Sequence, residues 1–327
     1  MNRPPPRLLL NLARPWGEAD PATLAQRAVA LRFDGVGLAD SSRLMPDCWV
    51  ESERVLAGTS SALAGPVVAS LGIRHPATVA GALRTLEDHH PGRAFAVVGR
   101  GESSVHNEGL TVPSLRSHAD HLRIVRERLR GDDGSDRLPG RLLGAASGPR
   151  TITVTADALG GVLLDVGTEL ETVRRAVALA RANDRGTHVW LFLRALVVAD
   201  PQDAPSAAAP LLGSCAARMA AAPAWFGLDD DELSLVRLVA DRHDYLQHGA
   251  AHATADVDDE AARLVRARFL LVATGDEVTR RMSSLAGLGV DGVVVAGGLP
   301  AVVPELPALA AALRAGLAHP ESAKESR

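Results

Sequence analysis

The chain has 327 residues and a formal net charge of −4, a length that suits one large α/β domain with insertions. A mildly acidic balance without a basic stripe excludes nucleic acid as the main partner, and two distant cysteines, Cys48 and Cys215, exclude a disulfide framework and fit a reducing compartment. Hydrophobic residues make up 46% but aromatics only 3%, so Leu, Val and Ala must fill the core and no aromatic stacking cage is expected.

The N-terminal "MNRPPPRLLLNLARPWG" holds an apolar stretch too short for a signal sequence. No run approaches the ~18 apolar residues of a membrane span, so a soluble cytoplasmic protein is expected. Short apolar runs then alternate with amphipathic stretches. "RLLLNLA" (7–13) precedes the helical "DPATLAQRAVALR", and "GVGLAD" (35–40) precedes "DCWVESERVLAG". "GPVVASLG" (65–72) precedes "PATVAGALRTLEDHH", and "AFAVVGRG" (94–101) precedes "LRSHADHLRIVRERLRG". "RLLGAAS" (141–147), "GGVLLDVG" (160–167) with "ELETVRRAVALARAND", "HVWLFLRALVV" (188–198) and "DGVVVAGG" (291–298) complete the series. Val- and Leu-rich strands without polar alternation belong to a parallel sheet buried on both faces. Eight such strands, seven followed by helices, predict a (β/α)8 TIM barrel, with 1–327 as a single domain. Residues 200–268 break the rhythm with consecutive helical patterns and no strand. They form a helical insertion between strands seven and eight, at the rim where barrels bind ligands. The polar tail, about 318–327, is expected to fray.

Polar clusters fall at the C-terminal ends of the strands, where barrel active sites are built. "LADSS" ends the second strand at Asp40, Ser41 and Ser42, and Asp40 with Ser41 equally suits a cap for the following helix. "GRGESSVHNEG" follows the fourth. It lacks the Lys-Ser/Thr of a P-loop and the spacing of a dinucleotide fingerprint; in its plain reading Gly99 and Gly101 let the chain turn while Arg100 pairs with Glu102. "AASGPRT" follows the fifth. Ser147 or Gly148 suits the N-cap and Pro149 the first helical position. The N–H groups of Arg150 and Thr151, the Ser147 hydroxyl and the Arg150 guanidinium would then converge on a phosphate. The alternative is an ordinary capped helix start with an exposed arginine. No metal is expected: His89 and His90 read as solvated at a helix end, and His106, His118, His243, His248 and His252 form no ligand pattern. With no nucleophile elbow, triad or carboxylate pair, reaction chemistry is expected from a bound cofactor.

Taken in order, "FDGVGLADSSRLMPDCWVESERVLAGTS", "RHPATVAGALRTLEDHHPGRAFAVVGRGESS", "AASGPRT" and "ATGDEVTRRMSSLAGLGVDGVVVAGG" resemble the bacterial-luciferase-like superfamily of flavin- and F420-dependent oxidoreductases, in particular its methylenetetrahydromethanopterin reductase branch. The resemblance spans roughly 6–195 and 268–315. It implies a barrel that holds coenzyme F420 or FMN at the C-terminal face. The phosphate would lie on Ala146, Ser147, Gly148, Pro149, Arg150 and Thr151, and the ring would be bordered by Gly99, Arg100, Gly101, Glu102 and Ser103. Asp40 would stand near the ring, and a non-prolyl cis peptide near Ala69-Ser70-Leu71 would press on its face. Three positions depart from the pattern: Thr-Asn-Pro is here Ala69, Ser70 and Leu71, the proline before Trp49 is Cys48, and the aspartate of the glycine loop is Glu102. The superfamily's monooxygenases carry a histidine for oxygen chemistry; no clear counterpart stands here, and His106 is the candidate.

The resemblance thus implies F420H2-dependent hydride transfer to a C=C, C=N or C=O of a small molecule. Asp40, Glu102 or solvent would supply the proton, and Trp49, His106 and Trp190 would shape the pocket. The alternatives are a two-component monooxygenase that uses FMNH2 and oxygen, and a non-catalytic flavin-fold binding protein. A homodimer is implied, supplied with reduced cofactor by a flavin reductase or an F420-reducing enzyme.

Overall fold

The computed structural model describes residues 5–13, 20–243, 259–296 and 304–321. The first half runs β1 (Arg7–Leu12), α1 (Pro21–Ala30), β2 (Gly35–Leu38), α2 (Cys48–Gly58), β3 (Leu63–Ser70), α3 (Pro76–His89), β4 (Ala96–Gly99), α4 (Glu102–Asn107) and α5 (Leu115–Arg128). It continues through β5 (Leu142–Ala146), α6 (Pro149–Leu159), β6 (Gly161–Leu164), α7 (Leu170–Ala180) and β7 (His188–Val197). The remainder is α8 (Ala204–Ala221), α9 (Asp230–Ala240), α10 (Asp259–Phe269), β8 (Leu270–Ala273), α11 (Gly275–Ala286), β9 (Gly292–Ala296) and α12 (Leu306–Ala318).

Helix starts are set by local chemistry. Asp20 accepts from Thr23 N–H ahead of Pro21, Asp47 accepts from the N–H groups of Trp49 and Val50, and Ser114 accepts from Ser117 N–H. Asp47, rather than Asp40 or Ser41, therefore caps the helix that follows strand two.

All pairings between the strands are parallel, and β1-β2-β3-β4-β5-β6-β7-β9 close on themselves when β9 pairs with β1. These are the eight apolar runs of the sequence, so the (β/α)8 barrel is the fold. The ninth strand, β8, was not expected. β7 is long: on one edge it pairs with β9, on the other with β6 through Leu191 and then with β8 from Arg194. β8 therefore takes over the edge that β6 leaves after Leu164. Helices α8, α9 and α10 fill the expected insertion; residues 244–258, with His248 and His252, lie outside the described residues.

The barrel separates two cores. Inside sit Leu9, Leu63, Val67, Phe95, Val97, Leu143, Leu163, Trp190 and Val294, and outside the larger cluster joins the strands to the helices. Trp190 fills the lower interior against Phe95, with ring centroids 5.0 Å apart. The missing Cβ of Gly292 makes room for its indole. Each large side chain buried this way contributes about 1.5–3 kcal/mol.

Candidate functional site

Three members of the inner core are only partly buried: Val68, Ala145 and Phe192. They form its upper surface and so the floor of the mouth at the C-terminal ends of the strands. Gly99 lies between the first two, where a Cβ would stand 2.7 Å from Val68 and 3.3 Å from Ala145. Val68 reaches this floor because β3 bulges: Val67 pairs with Val97, Ala69 pairs with Val98, and the Val67–Val68 peptide is cis. The non-prolyl cis bond thus lies just upstream of the position expected from the resemblance. It turns Val68 inward and sends Ala69 into the outer core, fully buried. Ala69 therefore packs in the outer core, and Val68 is the β3 residue at the floor.

Beside the bulge, Ser70 is buried and its hydroxyl has no hydrogen-bond partner among the described residues. Gly101 packs directly over it: a Cβ at 101 would lie 1.8 Å from Ser70 Oγ. Gly101 has φ +75°, a left-handed conformation that glycine adopts freely, and it ends the glycine loop by starting α4. Glu102, Ser103 and His106 consequently sit on a short helix rather than in a loop, with Glu102 and His106 exposed. Arg100 Nε donates to Pro113 O at 3.0 Å, and its Nη1 stands 4.0 Å from Glu102.

Asp40 is tied into the same corner. Its carboxylate accepts from Ser70 N–H at 3.1 Å and from Arg74 Nε and Nη2 at 2.9 Å each. Its carbonyl accepts from Ser104 Oγ at 2.9 Å. Arg74 also pairs with Asp47 at 2.8 Å. The Asp40 hydrogen bond, against the cost of burial, raises the Arg74 pKa above its ordinary value. Burial works against the Asp47 charge, but Arg74 and the α2 amides hold its carboxyl below the usual range. A carboxylate with three donors on it has the geometry of an acceptor, and through it and its carbonyl Asp40 joins β2, β3 and α4.

"AASGPRT" carries β5 into α6. Pro149 occupies the first helical position, Gly148 is the N-cap with φ −119° and ψ 160°, and no side chain caps the helix. Ile152 N–H donates to Gly148 O, while the N–H groups of Arg150 and Thr151 donate to no acceptor among the described residues. Arg150 is exposed and makes no ion pair with any described residue; Ser147 and Thr151 are half-buried. An uncapped helix start of this kind presents amide donors and the positive dipole end to an anion.

Across the mouth, one carboxylate meets two guanidiniums. Trp190, Phe192 and Arg194 alternate along β7 and share its inward face. Arg194 donates to Asp165 at 2.7 and 3.2 Å and lies over the rings of Phe192 and Phe269, 5.0 and 5.5 Å from their centroids. Arg218, from α8, places Nε 2.6 Å from Asp165 Oδ2. Burial opposes the Arg194 charge, but Asp165 raises its pKa above the ordinary value. Asp165 itself extends the ladder past β6, its N–H donating to Ala146 O at 2.9 Å. The cluster therefore adjoins the start of α6.

The two tryptophans occupy different places. Trp190 is 2% exposed in the lower interior, a correction that follows from its position at the start of β7. Trp49 is half-buried against the outer core. Val68, Phe192, Asp165, Arg194 and Arg218 were not read from the sequence.

Other clusters lack a reactive arrangement. Among the described residues Glu53, His89 and His90 have metal-ligand spacing. Arg93 Nη2 lies 3.1 Å from His90 Nδ1 and must donate to it, which fixes the ring proton on Nε2, 3.0 Å from Glu53. That proton occupies the lone pair a metal would need. A cavity of about 190 Å³, lined in part by Arg126, Gly140, Leu159 and His188, lies at the opposite end of the barrel, away from the face that carries barrel chemistry. Among the described residues no helix is long and apolar enough to cross a membrane.

The sequence profile of the luciferase-like monooxygenases matches residues 17–292. No curated protein matches the sequence at a significant level. Among solved structures, the coenzyme F420-dependent tetrahydromethanopterin reductase of Methanopyrus kandleri superposes with TM-score 0.69 at 16% identity, covering 96% of this chain and 98% of that one. An F420-dependent secondary alcohol dehydrogenase in complex with an F420-acetone adduct gives 0.67 at 16% identity, with 95% and 99% covered. The EDTA monooxygenase of Chelativorans sp. BNC1 gives 0.61 at 15% identity, with 96% and 94% covered. At these identities the likeness is one of fold.

Proposed function

The chain belongs to the luciferase-like monooxygenase family, and from that premise we propose that it is an oxidoreductase that uses F420H2 to reduce a C=C, C=N or C=O bond of a small molecule. The observation that carries the reading is a juxtaposition on one β/α unit. Ala145, in the apolar floor, is three residues from Gly148 at the uncapped start of α6. A planar ring system followed by a phosphate-bearing tail fits that arrangement. Val68, Gly99, Ala145 and Phe192 would support the ring, with Arg100, Gly101, Glu102 and Ser103 at its border. Ser147, Gly148, Arg150 and Thr151 would hold the phosphate, with Ala146 and Pro149 shaping the turn.

A reduced deazaflavin supplies a hydride when bound. The chain's own part is to orient and to exclude water. The Asp40–Arg74 pair fixes the ends of β2 and β3, and Ser70 under Gly101 fixes the glycine loop. A proton would come from solvent or from Glu102, whose side chain is 53% exposed. Two of the structural neighbours named above are described as F420-dependent, which supports this cofactor.

The family's own description and the EDTA monooxygenase favour a second reading, oxygenation with FMNH2 supplied by a flavin reductase, in which His106 would be the histidine to test. A homodimer is the assembly proposed for either. Anaerobic titration of the purified protein with FMN and with F420 tests the proposal. Tight binding of F420, and its oxidation on addition of an acceptor, is expected. Binding of FMN alone, with oxygen-dependent turnover, overturns it in favour of the second reading.

A further inference from the structure

The charge cluster at the β6–β7 rim has no part in holding the cofactor as described above. We propose that Arg218, steered by Asp165 and backed by Arg194, recognises an oxyanion, a carboxylate or a phosphate, on the substrate. The inference rests on the oxidoreductase reading for the existence of that substrate, and it names the substrate's chemical class.

The argument begins with charge. Among the described residues two guanidiniums face the single carboxylate of Asp165, so these three side chains together carry one positive charge. Arg194 is the partner already matched: its side chain is 7% exposed, both Nη groups reach Asp165, and aromatic rings lie over it. Arg218 is the surplus. Its side chain is 32% exposed, and its buried Nε, although 2.6 Å from Asp165 Oδ2, is out of line for a hydrogen bond. Among the described residues none accepts a hydrogen bond from its Nη groups. A guanidinium with an unspent donor fork matches the paired oxygens of a carboxylate or phosphate. Partial removal from water strengthens that attraction relative to a surface arginine.

Position adds to this. Asp165 is one ladder bond from Ala146, and Arg194 lies against Phe192 of the floor. An anion on Arg218 would therefore sit at the β6–β7 side of the mouth, over the end of the floor that Phe192 forms. A purely structural tie between α8 and the barrel would leave the fork satisfied, and among the described residues it is not.

The same oxyanion chemistry could belong to the cofactor's tail instead of the substrate, so the test separates the two. Isothermal titration with inorganic phosphate, and separately with acetate, is run at constant ionic strength on the full-length protein. Wild type, Arg218→Gln and Arg218→Lys are compared, each free and saturated with whichever of FMN or F420 binds. We expect cofactor-saturated wild type to bind at least one anion. Arg218→Gln should weaken that binding tenfold or more with an unchanged cofactor Kd, and Arg218→Lys should recover part of it. Equal anion binding by Arg218→Gln, or none by wild type at tens of millimolar, overturns the proposal. So does a parallel loss of cofactor affinity, which would assign the cluster to the cofactor. If Arg218→Gln does not fold, the comparison of wild type with Arg218→Lys decides, because lysine keeps the charge and loses the fork. Should wild type bind neither cofactor, the oxidoreductase reading fails by itself. The free protein then still reports whether anion binding depends on Arg218.

Discussion

Replacing Gly148 with valine separates a helix start that holds phosphate from one that merely begins a helix. Gly148 has φ −119° and ψ 160°, extended backbone that β-branched residues favour, and a Cβ placed there would meet nothing within 4 Å. Two effects on stability oppose each other. Valine is a poorer N-cap than glycine by about 0.5–1 kcal/mol, and the loss of glycine's freedom in the unfolded chain returns about 0.4–1 kcal/mol. The fold should therefore hold, with Tm moving by less than about 3 °C. The ligand should not hold. Two added methyl groups would occupy the space through which a phosphate approaches the Arg150 and Thr151 amides. Two charge-assisted hydrogen bonds weakened together cost about 2–3 kcal/mol, which is about 30- to 150-fold in Kd. Quenching of cofactor fluorescence on titration measures the affinity, and a thermal melt measures the fold. An unchanged Kd in a folded Gly148→Val protein refutes the phosphate cradle. A large fall in Tm without ligand refutes the claim that the position is open.

Three further outcomes are measured without any cofactor. Burial, followed by the Arg100 and His121 charges, lowers the His118 pKa to about 4 from its ordinary 6.5. The unfolded chain thus binds the proton more tightly, so the stabilisation is complete above pH ~6.5 and about 3 kcal/mol is lost as pH falls to 4; urea midpoints across that range should show the slope, and His118→Leu should flatten it. Asp40→Ala strips Arg74 of its bidentate partner and should cost about 3 kcal/mol, seen as a lower Tm without any cofactor; a residue that only passed a proton would leave Tm alone. Burial pushes the Cys48 thiol far up and the Cys215 thiol to about 11. Iodoacetamide at mildly alkaline pH should therefore leave the native chain unlabelled and add two groups after unfolding in guanidinium.

The barrel was legible because its strands are continuous Val/Leu runs and its helices carry proline or aspartate at their starts, as at Asp20-Pro21 and Asp47-Cys48. β8 was not, for a local reason: α10 ends at Phe269 and β8 begins at Leu270, so helical periodicity runs into the strand without a break. The floor of the site was misread at one place. Strict alternation along β3 puts Val67 and Ala69 on the same face, whereas the bulge turns Val68 inward and Ala69 outward, since a one-residue slip reverses every side chain beyond it. The start of α6 was readable because Gly-Pro fixes a helix origin without long-range contacts. Asp165 and Arg194 lie on predictable strand faces. Arg218 comes from a distant helix, and nothing in its neighbours along the chain points to Asp165.

The pairing of β8 with the upper half of β7 has an evolutionary and engineering consequence. Arg194–Val197 pairs with Leu270–Ala273, and Val198 N–H donates to Ala273 O at 3.0 Å, so the chain rejoins the barrel wall beside the strand end where it leaves. The ends of the segment that carries α8, α9 and α10 are thus already held together, and doubling the length of such a connection costs only about 0.6 kcal/mol. Its length can change without reopening the barrel, whereas a swap must also replace the core contacts of Cys215, Met219 and Phe226 and the Arg218–Asp165 pair. Because Arg218 lies on it, a transplant would move the proposed anion contact while leaving the barrel mouth in place.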